Sequence, residues 1–138
     1  MVNELWINLP VKDVKRSREF FSRLGFTLGR HGNTDEAAPL QLGKNKTTVM
    51  LFSEPMFTRC CGGELPDRNR GSEVLISLGV ESRDQVDQMA TRWSQEGGRV
   101  FGQPASIDGW MYGCGLVDLD GHKWNLLYMD TSRMPQPT

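Results

Sequence analysis

Histidine is nearly absent from this chain. Its 138 residues carry only His31 and His122, so any site built on imidazole is capped at two ligands. Cysteine is also sparse: Cys60, Cys61 and Cys114 are an odd number without the spacing of a disulfide framework, which leaves free thiols in a reducing compartment as the expectation. No apolar run approaches the roughly 18 residues that would suggest a membrane span. The start, Met1-Val-Asn-Glu-Leu-Trp-Ile-Asn8, enters strand-like sequence without the basic-then-apolar form of a secretory signal, so a cytoplasmic protein is expected. Charge of one sign is lacking too. A net charge of −1 excludes nucleic acid as a bulk electrostatic partner, and neither a nucleic-acid nor a membrane partner is expected.

What is present is strand and helix in a repeated order. Leu5 to Val11 alternates, with Leu5, Ile7 and Leu9 on one face and Trp6 and Asn8 on the other; Pro10, lacking a donor, should end its regular ladder. Asp13 stands as N-cap to a helix over Val14 to Leu24, whose apolar stripe is Val14, Ser17, Phe20, Phe21 and Leu24, and Gly25 suits its C-terminal cap. Strands follow over 26–30, 39–42 and 47–52, separated by a polar connection at 31–38 and a turn at 43–46. Residues 54–71, with Pro55, Gly62, Gly63 and Pro66, read as a connector containing at most one helical turn near Met56-Phe57.

The order then recurs. A strand over 73–81 carries Val74, Ile76, Leu78 and Val80 on one face, and Ser82 caps a helix over 83–96 with the stripe Val86, Met89, Ala90 and Trp93. Gly97-Gly98 stops it, Arg99-Val-Phe101 is a short strand, and residues 109–130 form a hairpin turned at Asp120-Gly121 and apolar on both faces. The expected division is a first βαβββ module at 1–53, the connector at 54–71, a second module at 72–130 and a tail at 131–138. The fold class is α+β. One helix covers one face of each sheet, so the uncovered faces of two curved sheets are expected to enclose a cleft, within one chain or across a homodimer.

Trp6, Met50, Phe52, Trp110, Tyr112 and Asn125 are expected to face that cleft, with Cys114 on a lining strand; together they would make a flat-walled apolar pocket suited to a planar ligand. Trp93 and Trp124 fall on the stripes that pack under the helices. Asp118 and Asp120 flank the hairpin turn and are read as satisfying its backbone donors rather than as acid catalysts. His122 belongs to the same turn and His31 to a polar loop. The adjacent Cys60-Cys61 reads as a pair of semi-buried thiols, with soft-ion binding as the sharper alternative.

Asn8-Leu-Pro-Val-Lys-Asp13, Phe20-Phe-Ser-Arg-Leu-Gly-Phe26, Met111-Tyr-Gly113, Asp118-Leu-Asp-Gly-His-Lys-Trp124 and Tyr128-Met-Asp130 together resemble the glyoxalase/bleomycin-resistance/extradiol-dioxygenase superfamily, the vicinal oxygen chelate fold, and more narrowly a bacterial group labelled predicted lactoylglutathione lyases. The resemblance covers about residues 3–130 and implies two βαβββ modules. It also implies a metal ligand, His or Glu, on the first and last strand of each module. By position these fall near Trp6, Met50, Leu75 and Asn125, and the Glu that commonly follows the motif's Trp is Asn125 here. Indole, thioether, aliphatic and amide groups make a poor first shell for a divalent cation, and a shift of register onto Asn8 does not repair it. No metal ligand, cofactor or catalytic residue is therefore assigned. Trp6, Asn8, Met50, Phe52, Leu75, Trp110, Tyr112, Cys114 and Asn125 are the expected ligand-binding set. The expected function is metal-independent binding of an aromatic drug or metabolite, of the bleomycin-resistance type. A glyoxalase-like metal-dependent lyase or isomerase is the alternative, and a non-catalytic relative with a self-filled cleft is the third reading.

Overall fold

A computed structural model describes residues 1–137 and divides into two compact units, Met1–Asp67 and Arg68–Thr138, with Thr138 itself, the end of the expected tail, outside the described residues. The first unit contains β1 (Trp6–Val11), α1 (Val14–Arg23), β2 (Thr27–Leu28), β3 (Ala37–Leu42), β4 (Thr47–Ser53) and α2 (Glu54–Cys61). The second contains β5 (Leu75–Val80), α3 (Arg83–Gln95), β6 (Arg99–Ile107), β7 (Met111–Val117) and β8 (Lys123–Met129), followed by a single 3-10 turn at Thr131–Arg133. Each unit holds an open, mixed four-stranded sheet. The strand orders, β1-β4-β3-β2 and β5-β8-β7-β6, are the same arrangement built twice.

The two helices that cover these sheets begin and end alike. Asp13 accepts from the Arg16 N–H at 3.0 Å, and Ser82 accepts from the Gln85 N–H at 3.1 Å. Gln85 returns the favour to the chain entering the helix, its Oε1 accepting from Glu81 N–H at 2.7 Å. Both helices stop on a left-handed glycine, Gly25 (φ +89°) and Gly97 (φ +105°). The residue after each glycine donates back into the last turn, Phe26 N to Phe21 O at 3.0 Å and Gly98 N to Trp93 O at 2.9 Å. Val14, Ser17, Phe20, Phe21 and Leu24 are all buried, as their helical spacing requires. Phe21 meets both Phe20 and Phe26 edge to face. Val86, Ala90 and Trp93 do the same for α3.

Several boundaries differ from the sequence expectation. β1 runs through Pro10 to Val11, which pairs with Ser53; β1 is an edge strand, where a missing donor costs no ladder bond. β2 is two residues long rather than five. β3 starts at Ala37, because the small Ala37 and Ala38 pack fully against Phe52 and Leu51 of β4. β5 begins at Leu75, leaving Val74 exposed before it. β6 has nine residues, not three: Gly102 and Pro104 read as breakers, but they fall at two register shifts on an edge strand, where bulges absorb them. The connector opens with an eight-residue helix, α2, capped by Ser53 and stopped by Gly62.

The closing hairpin also turns differently. A β-turn closes through Gly121 N donating to Asp118 O at 3.2 Å, with Asp118 N donating to His122 O at 2.9 Å, so the loop is Leu119–Gly121 and not the two residues Asp120-Gly121. Three-residue loops of this type need a left-handed last residue, and Gly121 (φ +86°) supplies it. Asp118, only 6% exposed, ties the loop together. Its Oδ1 accepts from Asp120 N (2.9 Å) and His122 N (3.0 Å), and its Oδ2 accepts from the Trp124 indole (3.0 Å). Burial pushes the Asp118 carboxyl above the ordinary carboxylate range, while His122 and the three donors act in the other direction.

Trp124→Phe removes one of these three donors and leaves the buried carboxylate under-satisfied. The expected cost is about 1–3 kcal/mol of stability, read as a lower midpoint in urea unfolding with an unchanged slope. An unaltered midpoint would show that the indole bond contributes nothing net.

Candidate functional site

In the first unit, Leu9, Val11, Val49, Leu51 and Leu40 form the buried layer beneath α1. Strand alternation puts Trp6, Asn8, Met50 and Phe52 on the opposite face. Register makes Asn8 and Met50 direct neighbours across β1 and β4. Phe52 is buried, Asn8 and Met50 are half-buried, and Trp6 is 54% exposed. The Asn8 Oδ1 atom is buried and accepts no hydrogen bond.

In the second unit, α3 lies on the face carrying Trp124, Leu126, Leu116 and Cys114. The two indoles lie 6.3 Å apart between centroids, and Trp93 donates to Val117 O at 2.7 Å. A Cβ on Gly98 would collide with the Trp93 ring and stand 3.0 Å from Val117 O, so this close approach needs glycine.

Here two expected pocket residues change sides. Tyr112 and Cys114 pair with Tyr128 and Leu126, on the α3 face. Tyr112 donates to Asp87 Oδ1 of α3 at 2.6 Å, with the Arg83 guanidinium 5.2 Å over its ring, and the Asp87 bond is the main cause that holds its hydroxyl above the usual phenol range. The physical reason is the turn. A two-residue loop at Asp120-Gly121 would set Trp124 opposite Val117; the three-residue loop sets it opposite Leu116, and one residue of register exchanges the faces of β7. The hairpin, apolar on both faces, has α3 packed against one of them. Its α3 face is the core, and its other face is half open, with Met129 exposed.

That open face carries Leu75 and Asn125, as expected from sequence. Asn125 Nδ2 is 3.5 Å from Ser77 Oγ on the neighbouring strand. Trp110 sits in the β6–β7 turn, where its N–H donates to Ile107 O and its carbonyl accepts from Asp130 N. Around Asn125 lies a shallow cavity of about 190 Å³ lined by Phe101, Gln103, Ile107, Leu127 and Asn125 together with the segment 113–115, which includes the expected Cys114. Its floor is made by the two alternate glycines. A side chain on Gly115 would strike the Phe101 ring, and one on Gly113 would strike Leu127 and stand 2.7 Å from Leu126 O. Ile107 escapes a sequence reading that ends β6 at Phe101, whereas Phe101 and Leu127 lie on expected strands but were not assigned to the site. The visible signal was Gly113-Cys-Gly115, two alternate positions of one strand face without side chains.

The residues at the ligand positions implied by the family resemblance, Trp6, Met50, Leu75 and Asn125, do not fit a divalent cation by donor chemistry. Among the described residues no group of three or more His, Cys, Asp or Glu side chains converges. The thiols divide sharply: Cys60 and Cys61 are exposed and Cys114 is buried, its pKa pushed up to about 11 by desolvation and, less, by Asp87. Alkylation of the native protein by iodoacetamide near pH 8 should therefore modify Cys60 and Cys61 and spare Cys114 until urea is added. Labelling of Cys114 at the rate of the other two, read by mass spectrometry, would contradict its placement under α3.

Residues 4–35 match the family described as bleomycin resistance protein-like N-terminal. The hypothetical protein SA1046 from S. aureus is 35% identical and superposes with a TM-score of 0.82 over 93% of this chain and 94% of that one. A glyoxalase-related enzyme from Fulvimarina pelagi (16% identity, TM-score 0.77, 93% and 88% covered) shares the fold. So does a glyoxalase/bleomycin resistance protein/dioxygenase family enzyme from Burkholderia phytofirmans PsJN (14% identity, TM-score 0.74, 90% and 96% covered). No curated protein matches the sequence.

Proposed function

The chain belongs to the glyoxalase/bleomycin-resistance/extradiol-dioxygenase superfamily, and from that premise we propose that it is a metal-independent binding protein for a planar aromatic small molecule. The observation that carries this reading is the open face of the second unit. There the tip of the Phe101 ring stands over Gly115 and Leu127 covers Gly113, the two side chains wall a cavity, and Asn125 offers a polar anchor. Apolar walls with a pair of amides, Asn125 and Gln103, suit a flat ligand for stacking and registration. The cavity is smaller than the roughly 300 Å³ at which drug-sized pockets begin, so a one- or two-ring compound fits it best. Substitution of indole, thioether and aliphatic groups at the positions where relatives of the fold would hold a cation supports binding over Lewis-acid chemistry, and no reaction step is assigned to a metal.

The functional unit is proposed to be a homodimer in a reducing, cytoplasmic setting, in keeping with unpaired Cys60 and Cys61. At the start of β1, Leu5 is 67% and Trp6 54% exposed; at the start of β5, Leu75 is 51% exposed beside an exposed Val74. Such residues favour burial against a second copy. Light scattering should return twice the 15.6 kDa chain mass, and a monomer at micromolar concentration would remove this part of the proposal.

Thermal-shift measurements test the binding reading directly. One- and two-ring aromatic compounds at about a hundred times their Kd should add about 2.7 kcal/mol of stability, and divalent metals alone should add none. Phe101→Ala should weaken the best ligand by about 1–2 kcal/mol, whereas Trp110→Ala, outside the cavity lining, should leave affinity unchanged. Stabilisation by Ni²⁺, Zn²⁺, Mn²⁺ or Fe²⁺, reversed by chelator, would favour a glyoxalase-like enzyme instead.

A further inference from the structure

Lys123 is a charged residue on the open face of the second unit, in one register row with Leu75, Val117 and, on the edge strand β6, Arg99. It is the first residue of β8, two positions before Asn125 and therefore on the same face. Its direct neighbours in register are Leu75 on β5 and Val117 on β7, neither of them polar. Its ammonium is held 5.3 Å from the centroid of the Phe101 ring, the same ring that walls the cavity, and the side chain is half-buried. Among the described residues no carboxylate pairs with it. The rest of this face offers Leu75, Ser77, Leu127, Met129, Ile107 and Asn125 around the two glycines, with no acid among them.

The Phe101 ring is a weak partner for the ammonium and leaves its N–H donors open to a stronger acceptor. An anion is such an acceptor. We propose that this face takes a flat organic acid, its ring system set against the Phe101 and Leu127 side chains that cover Gly115 and Gly113, and its carboxylate or sulfonate accepting from the Lys123 ammonium. This inference rests on the small-molecule binding reading and adds the sign of the ligand's charge. Two further features agree with it. Phe101 contacts the cation and the cavity together, so ring stacking and charge pairing act on one ligand rather than at separate sites. Asn125 lies about 7 Å along the strand from Lys123, a separation suited to the far end of a two-ring compound.

The test is a matched pair of probes, 2-naphthoic acid and 2-naphthamide, which share a ring system and differ in charge. Titration calorimetry at low salt should give the acid at least about tenfold tighter binding, with the preference shrinking as NaCl is raised. Lys123→Met should abolish the preference while retaining the amide's affinity, and Lys123→Arg should keep most of it. Equal affinities in the native protein, or a preference for the acid that survives Lys123→Met, would overturn the proposal while leaving the binding reading intact. Failure of both probes to bind the native protein would overturn the binding reading itself, and the charge assignment with it.

Discussion

Two buried indoles and one buried carboxylate hold the second unit together, and the geometry of its open face depends on them. Asp118 collects the donors of the hairpin loop and the Trp124 indole. Trp93 reaches from α3 to the carbonyl of Val117, one residue before that aspartate. Helix, loop and both strands of the hairpin are thus locked at adjacent residues. Neither end of the arrangement tolerates a slip. Shifting β8 by one residue would separate Trp124 from Asp118 and turn Lys123, Asn125 and Leu127 from the open face to the core. Arg68, at the start of this unit, adds a brace by donating to Asp120 O at 2.6 Å.

The open face is shaped by what that lock leaves out. A sheet covered by one helix must do something with its other side, and here β7 presents glycine at two successive positions on it. These glycines are not there for turn geometry. They let Phe101 and Leu127 lie down over the backbone, which replaces two projecting side chains by a trough with a ring at its edge. The bulges in β6 serve the same end, since Phe101 reaches Gly115 from a strand whose register shifts twice beside it. A regular β6 would have carried its side chains past the trough in strict alternation.

Much of this architecture was legible in the residues themselves. Both covering helices announce their starts (Asp13, Ser82), their buried stripes and their glycine stops, because each signal rests on local chemistry within one or two turns. The repeated element order follows from them. The sides of the closing hairpin were not legible, since both its faces are apolar and period alone cannot choose between them. The choice was made by loop length, and Asp120-Gly121 imitates a shorter turn than the one that Asp118 enforces. Tyr112 and Cys114 were misplaced for that single reason. Asn125 and Leu75, positions taken from the family resemblance, lie on the face opposite Trp124 and Ile76. Ile107 depended on register shifts in β6 beyond its expected end at Phe101.

The family resemblance implies cation ligands at four strand positions, where this chain carries Trp6, Met50, Leu75 and Asn125. Replacing a His or Glu at such a position by Trp, Met, Leu or Asn leaves the ladders, caps and helix-facing cores untouched, because those positions face away from the covering helix. What changes is the chemistry on offer. A cation polarises oxygens; the face proposed to bind a ligand offers instead an amide, an aromatic ring and an ammonium. The asymmetry between the two faces of one sheet therefore separates what keeps this chain folded from what it can recognise.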